Sequence, residues 1–155
     1  MLLKWQLMVI SPVILTLAAC SSDQEKIGNS TKEFAFIVHE IVSADPRFLN
    51  VEAVLTEADE KIIIETAKAG HVKLNKLKAS GFQQQSMDNV FYFFRSFKTR
   101  ELLKDQAPLS IGKTSIENEV AHAALHLGNK KCDFTFIKES AGWKISLIAC
   151  DKQPY

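Results

Sequence analysis

From Trp5 to Ala19 the chain is apolar apart from Gln6, Ser11, Pro12 and Thr16. Polar and apolar positions then begin to alternate in recognisable periods. Ser30 with Glu33 forms a capping-box pattern, and behind it Phe34, Ile37, Val38 and Ile41 recur at helical spacing. Asp45-Pro46 ends that helix, because a residue before proline is pushed out of the helical region. Asn50 or Thr56 can cap a second helix from about Glu57 to Lys78, whose Ile63, Ala67, Leu74 and Leu77 turn toward a core. Gly70 weakens its middle by about 1 kcal/mol, which leaves two shorter helices as an alternative. Lys68, Lys73, Lys76 and Lys78 read as a solvated face rather than an anion site.

Residues 86–105 are open to two readings. As a helix, Val90, Phe93, Phe94 and Phe97 form one stripe, leaving Phe91 and Tyr92 to be covered separately; as a strand, the same aromatics suit a sheet. The cluster reads as core or as a contact surface. Pro108 and Gly112 interrupt the chain after it. Glu119 to Leu127, Lys131 to Glu139 and Trp143 to Asp151 then alternate as three strands. Gly128-Asn129 suits a two-residue turn pairing Leu127 with Lys130, and Glu139 to Trp143 suits a type I turn with Gly142 as the bulge residue. These turns set rows across the meander: Ala121, Phe136 and Ser146; Ala123, Phe134 and Ile148; Leu125, Cys132 and Cys150. Alanines opposite phenylalanines make a packed face, which should receive the helices.

The other face is mixed. His122, Thr135 and Leu147 form one row and Ala124, Asp133 and Ala149 the next, flanked by Val120, Ile137 and Ile145. Asp133 lies diagonal to both His122 and His126. His122 and Asp133 are the candidate acid–base pair, a carboxylate holding an imidazole tautomer being the arrangement that chemistry needs. His122, His126, Asp133 and Thr135 are the candidate ligand contacts. If residues 118–127 were helical, Glu119, His122 and His126 would share a face and could hold a metal. In a strand the two histidines stand ~13 Å apart and cannot share one ion. The strand is the preferred reading, so no metal and no cofactor are expected. His39 and His71 read as surface residues.

Composition narrows the function classes. The 155 residues are 46% hydrophobic and 24% charged with a net charge of +1, which fits one compact domain and provides no field to recruit nucleic acid. The apolar run from Trp5 reaches roughly 22 Å as a helix, short of a ~30 Å hydrocarbon core, so it reads as an export signal rather than a span. With Lys4 before that run and polar residues after it, Leu17-Ala18-Ala19-Cys20 resembles the lipobox of bacterial lipoproteins. The resemblance implies cleavage before Cys20 and a diacylglycerol thioether on it. It divides the chain into a signal peptide at 1–19, a lipidated cysteine with a flexible tether at 20–30, and one globular domain at 31–155. By the same resemblance, Ser21 after the cysteine, where an Asp would imply inner-membrane retention, implies the outer membrane, facing the periplasm, in a Gram-negative host. Export also brings oxidising conditions, and the turn registers place the two remaining cysteines opposite each other, so a Cys132–Cys150 disulfide is expected.

Helices before an antiparallel meander predict an α+β domain. At Lys138-Glu139-Ser140-Ala141-Gly142-Trp143-Lys144-Ile145 the chain resembles the closing hairpin of nuclear transport factor two-like domains, found among small exported lipoproteins. That resemblance implies a cone-shaped fold with a curved sheet around a pocket. The function expected is a membrane-anchored envelope lipoprotein that binds a protein or small ligand without catalysis, an immunity-type protein included. The alternatives are a small pocket enzyme using His122 and Asp133, and a structural tether.

Overall fold

The computed structural model describes residues 22–48, 52–100 and 109–152. The leader, Cys20, Asn50, residues 101–105 and Pro108 lie outside them, as does the side chain of Phe97. The elements are α1 (Asp23–Ala44), a 3-10 turn (Pro46–Phe48), α2 (Glu57–Leu77) and α3 (Gln85–Arg100), then β1 (Leu109–Ile111), β2 (Ser115–Glu117), β3 (Val120–Leu127), β4 (Lys130–Glu139) and β5 (Gly142–Cys150). The protein is α+β. Its helices lie against one face of a C-terminal antiparallel sheet of order β1-β3-β4-β5, with β2 pairing farther along β3, the helices-before-meander order expected of the α+β class.

The first helix starts earlier than Ser30. Ser22 is its N-cap, accepting from the Glu25 N–H at 3.2 Å. The segment read as a flexible tether therefore has residues 23–30 inside a helix. Its polar composition hides the reason: Ile27, the lone large apolar residue there, is fully buried, and so is Thr31, whose hydroxyl donates to the Ile27 carbonyl at 2.8 Å. Burying one such side chain contributes roughly 2 kcal/mol, which holds two further turns onto the core. At this end α1 meets the closing hairpin. The Lys138 ammonium lies 5.5 Å over the Trp143 ring and 3.4 Å from the Asp23 carboxylate. The Asp23 carboxyl is held below its usual range by the Trp143 indole N–H first, and by Lys138 and Lys26. The buried indole nitrogen falls short of strict hydrogen-bond geometry, so it acts on Asp23 as a nearby dipole.

The predicted stop at Asp45 holds: α1 ends at Ala44, and Asp45 is extended at φ −100°. Thr56 caps α2, with its hydroxyl and the Asp59 carboxylate bonding each other's backbone N–H groups. The helix is continuous. Gly70 and Leu74 are buried, Leu77 packs against the core, and Ile63 and Ala67 are half-buried along the same face of the helix. A β-carbon at Gly70 would sit 2.5 Å from Ile41 Cδ1, so this glycine marks the close approach of two helices. The pairing of Lys73 with Glu40 and of Gly70 with Ile41 makes α2 antiparallel to α1. Residues 86–100 are helical, and Val90, Phe93 and Phe94 are buried as the stripe required.

The β3–β4 register runs through Leu127↔Lys130, and Cys132 stands opposite Cys150. At the closing hairpin the register differs by one residue from expectation. Glu139 pairs with Gly142 and Phe136 with Ile145, and a bulge beside Thr135 and Phe136 restores the predicted pairing of Phe134 with Ile148. The bulge reverses which side chains face inward. Ile145 is therefore buried in the core rather than on the mixed face, and Ser146 does not pair with Phe136. Two short strands were not anticipated: β1 and β2 are separated at Gly112, whose N–H donates to the Ala124 carbonyl at 2.7 Å.

The helix-facing side of the sheet is filled rather than hollow. Phe34 meets Phe134 edge-on at 5.4 Å, and Phe34, Phe134, Phe136 and Ile145 are all fully buried. The far edge of β5 is strapped by residues 79–86: Ala79 N–H donates to Ile145 O at 2.8 Å, and the Ser86 hydroxyl accepts from Ile148 N–H at 3.3 Å. The Cys132–Cys150 disulfide joins β4 to β5 with Cα atoms 3.9 Å apart, closing a sequence separation of 18.

Candidate functional site

Two surfaces hold the chemistry-bearing residues. The first is the outer face of the sheet, which none of the described helices covers. Its rows are Ser115, His122, Thr135 and Leu147, then Ala124, Asp133 and Ala149, then Ser110, His126 and Lys131. Val120 and Ile137 lie beside them, with Lys144 in the place expected for Ile145. The four candidate residues do share this face, but the structure does not pair them as acid–base chemistry requires. His122 Nδ1 lies 3.3 Å from the Thr135 hydroxyl, while Asp133 engages Lys131 at 3.0 Å. The Lys131 ammonium is held above its usual range by that carboxylate. His126 stands over the break between β1 and β2, where a β-carbon on Gly112 would fall 2.8 Å from its Nε2. Glu119, His122 and His126 are not on a helix, and no cluster of metal-ligating residues occurs among the described residues.

The second surface is concave. A cleft of about 350 Å³ opens between the C-terminal end of α1, the middle of α2 and the first turns of α3. Ile41, Ile63, Ala67, Met87 and Phe91 supply its apolar wall. Asp45, His71, Gln84, Asp88 and Arg95 supply its polar groups. Phe91, the aromatic that the helical stripe left uncovered, is half-buried here and meets His71 with ring centroids 5.9 Å apart.

Asp45 is a buried polar group of the cleft. Its side chain is 8% exposed, and the Arg47 guanidinium grips it with two bonds of 2.9 and 2.7 Å, while Arg47 N–H adds a third at 3.0 Å. The Arg47 side chain is the main reason the Asp45 carboxyl stays below its usual range, and Arg95 contributes from across the cleft. The paired charges place a fixed carboxylate beside an apolar wall, a combination that can orient a small amphipathic molecule. Sequence reasoning left Phe91 in need of separate cover and read His71 as a surface residue, and it did not gather Asp45, Gln84 or Arg95 as a group. They come from three separate elements, and Asp45 carried a helix-stop signal that accounted for it fully.

A larger hollow of about 610 Å³ lies along α2 near Glu57, Lys61 and Glu65, but among the described residues α2 alone lines it, and it is open to solvent. Among the described residues, no helix is long and apolar enough to cross a membrane. Comparison with protein-family models, curated proteins and solved structures finds no match to this chain.

Proposed function

We propose that the protein is a lipid-anchored module of the bacterial envelope that binds rather than catalyses, holding a small amphipathic ligand beside the membrane. One observation carries the binding half of this reading: the concave, half-apolar cleft sits between helices, away from His122 and Asp133. Its volume of about 350 Å³ falls at the small end of the range for ligand pockets. An acid–base enzyme needs its pair in a concave, water-restricted site. Here the two groups lie on an open sheet face with other partners. The anchoring half rests on the Leu17-Ala18-Ala19-Cys20 motif, and the Cys132–Cys150 bridge supports it, because such bonds persist outside the reducing cytosol. The outer membrane, facing the periplasm, is the location this reading favours in a Gram-negative host.

Native mass spectrometry of protein extracted from membranes in mild detergent tests the binding half. The expected result is a small-molecule adduct on the wild type that disappears in Ala67→Trp, which fills the cleft, and survives in His122→Ala with Asp133→Ala. An adduct that follows His122 and Asp133 instead would return the reading to a pocket enzyme.

A second reading, in which the outer sheet face receives a protein partner, an immunity-type role included, draws on the apolar side chains of Val120, Ile137 and Leu147 on that face. Crosslinking in intact cells tests it. A partner lost in Leu147→Arg and kept in Ala67→Trp would favour this face over the cleft.

A further inference from the structure

Of the 21 residues of α2, only Gly70 and Leu74 are buried. The helix leans on α1 and makes little contact with α3 or the sheet. Its outward face is nonetheless patterned. Ala58, Ile62, Glu65, Ala69, Val72 and Lys76 recur at alternating spacings of four and three, and all are exposed among the described residues. That spacing keeps one stripe along a helix, as the seam positions of a helix pair do. Within it Ile62 and Val72 stand 56% and 55% exposed beside small alanines. Phe36 lies one turn before Glu40 on α1, and Glu40 reaches Lys73, so its exposed ring extends the same flank. Scattered apolar side chains are ordinary on a surface, but a run at this spacing fits a second helix laid along it.

The charges choose that helix. From Glu57 to Thr66, α2 carries Glu57, Asp59, Glu60 and Glu65 against Lys61 alone. From Ala67 to Lys78 it carries Lys68, Lys73, Lys76 and Lys78 and no carboxylate. Neighbouring charges leave this division standing. Arg47, which feels the charge of Glu60, is already gripped by Asp45. Glu40 offsets one lysine, Lys73, from 4.0 Å. Near the end of α2, Glu139 at Ser80 and Lys144 at the Lys76 carbonyl offset each other, as do Lys32 and Glu33 on α1. The first half thus stays net negative and the second net positive. A parallel copy would set like charge on like, whereas an antiparallel copy sets each acidic half on a basic one.

We propose that α2 is a self-association surface, on which two copies of this chain pair antiparallel about a two-fold axis level with Ala67. Ile62 of each copy then meets Val72 of the other, Glu65 meets Ala69, and Lys68 comes within reach of Glu65 across the axis. The antiparallel arrangement also opposes the two helix dipoles. A contact carried mainly by one helix about 31 Å long, with Glu65 and Lys76 interrupting its apolar stripe, falls in the class of small, reversible interfaces. Ile63, Ala67 and His71 line the cleft from the other flank of α2, so pairing leaves the cleft open. The inference stands apart from both the anchor and the ligand.

The test is sedimentation equilibrium of the protein as purified from its host, in density-matched mild detergent. Wild type should show a monomer–dimer equilibrium that weakens as salt is raised. Ile62→Ser with Val72→Ser, both at exposed positions, should weaken it by about tenfold or more. Glu60→Lys with Glu65→Lys should be monomeric alone, and so should Lys68→Glu with Lys76→Glu. An equimolar mixture of those two variants should recover a dimer holding one copy of each. Circular dichroism checks that each variant is folded; should a charge-reversed pair fail, crosslinking of Ala69→Cys by a short bismaleimide reads the same contact. A wild type that remains monomeric at high concentration, or a dimer indifferent to Ile62, Val72 and the charge reversals, would overturn the proposal.

Discussion

Asp45 shows how much one side chain can hold in this molecule. It ends α1, bonds the Arg47 backbone and guanidinium, and forms the charged edge of the cleft. Its carboxyl is held below the usual value of 3.8, so by linkage the stability it contributes is fully present above that value and is lost as pH falls through the lowered one. Asp45→Asn should therefore destabilise at neutral pH, by about 1 kcal/mol because Arg47 is half exposed, and should flatten the stability–pH curve in the acid range. Urea midpoints measured from neutral pH down to about 3 would check both. Gly70 makes a second case. Helix propensity alone predicts that Gly70→Ala gains about 1 kcal/mol, but a β-carbon 2.5 Å from Ile41 adds an overpacking cost of roughly 1–3 kcal/mol. The expected outcome is a lowered melting temperature, and a lower one still for Gly70→Val. The periodicity of α2 was legible in the sequence, but the close approach at Gly70 was not, since it depends on which residue α1 brings opposite.

At the scale of elements, the readable parts were those set by local chemistry. The Asp45-Pro46 stop, the Thr56 cap and the turn at Gly128-Asn129 are decided within a few residues, and they stand where the residues put them. What escaped reading was decided by tertiary contact. The first turns of α1 look like a polar tether until Ile27 is seen in the core. The bulge near Ser146 follows from seating both Trp143 and Ile148 inward, which a strict alternation cannot do. Ile27→Ala should cost about 2–4 kcal/mol; a change within a few tenths, by chemical denaturation, would restore the tether. The disulfide belongs to this scale as well. Closing a separation of 18 residues is worth about 3 kcal/mol in the chain-entropy model. Reduction, or Cys132→Ser with Cys150→Ser, should lower stability by roughly that amount while the sheet persists in circular dichroism.

For the whole molecule, the candidate site was legible only in part. Sequence spacing did gather His122, His126, Asp133 and Thr135 on one face, and the strands keep them there. It did not reveal that His122 and Thr135 engage each other and Asp133 engages Lys131, nor that the concave surface lies among the helices. Sheet rows follow from turns, whereas a cleft between three helices depends on packing angles that no local pattern encodes. The account joins a proposed anchor at Cys20, a disulfide-bonded sheet and a cleft between the helices. The most direct measurement of its central claim is the intact mass of the protein from the membrane fraction of its host, taken without reductant. The account predicts a chain that begins at residue 20 with acyl chains attached, and no free thiol at Cys132 or Cys150. A mass beginning at Met1 with unmodified, reduced cysteines, recovered from the soluble cell interior, would contradict it.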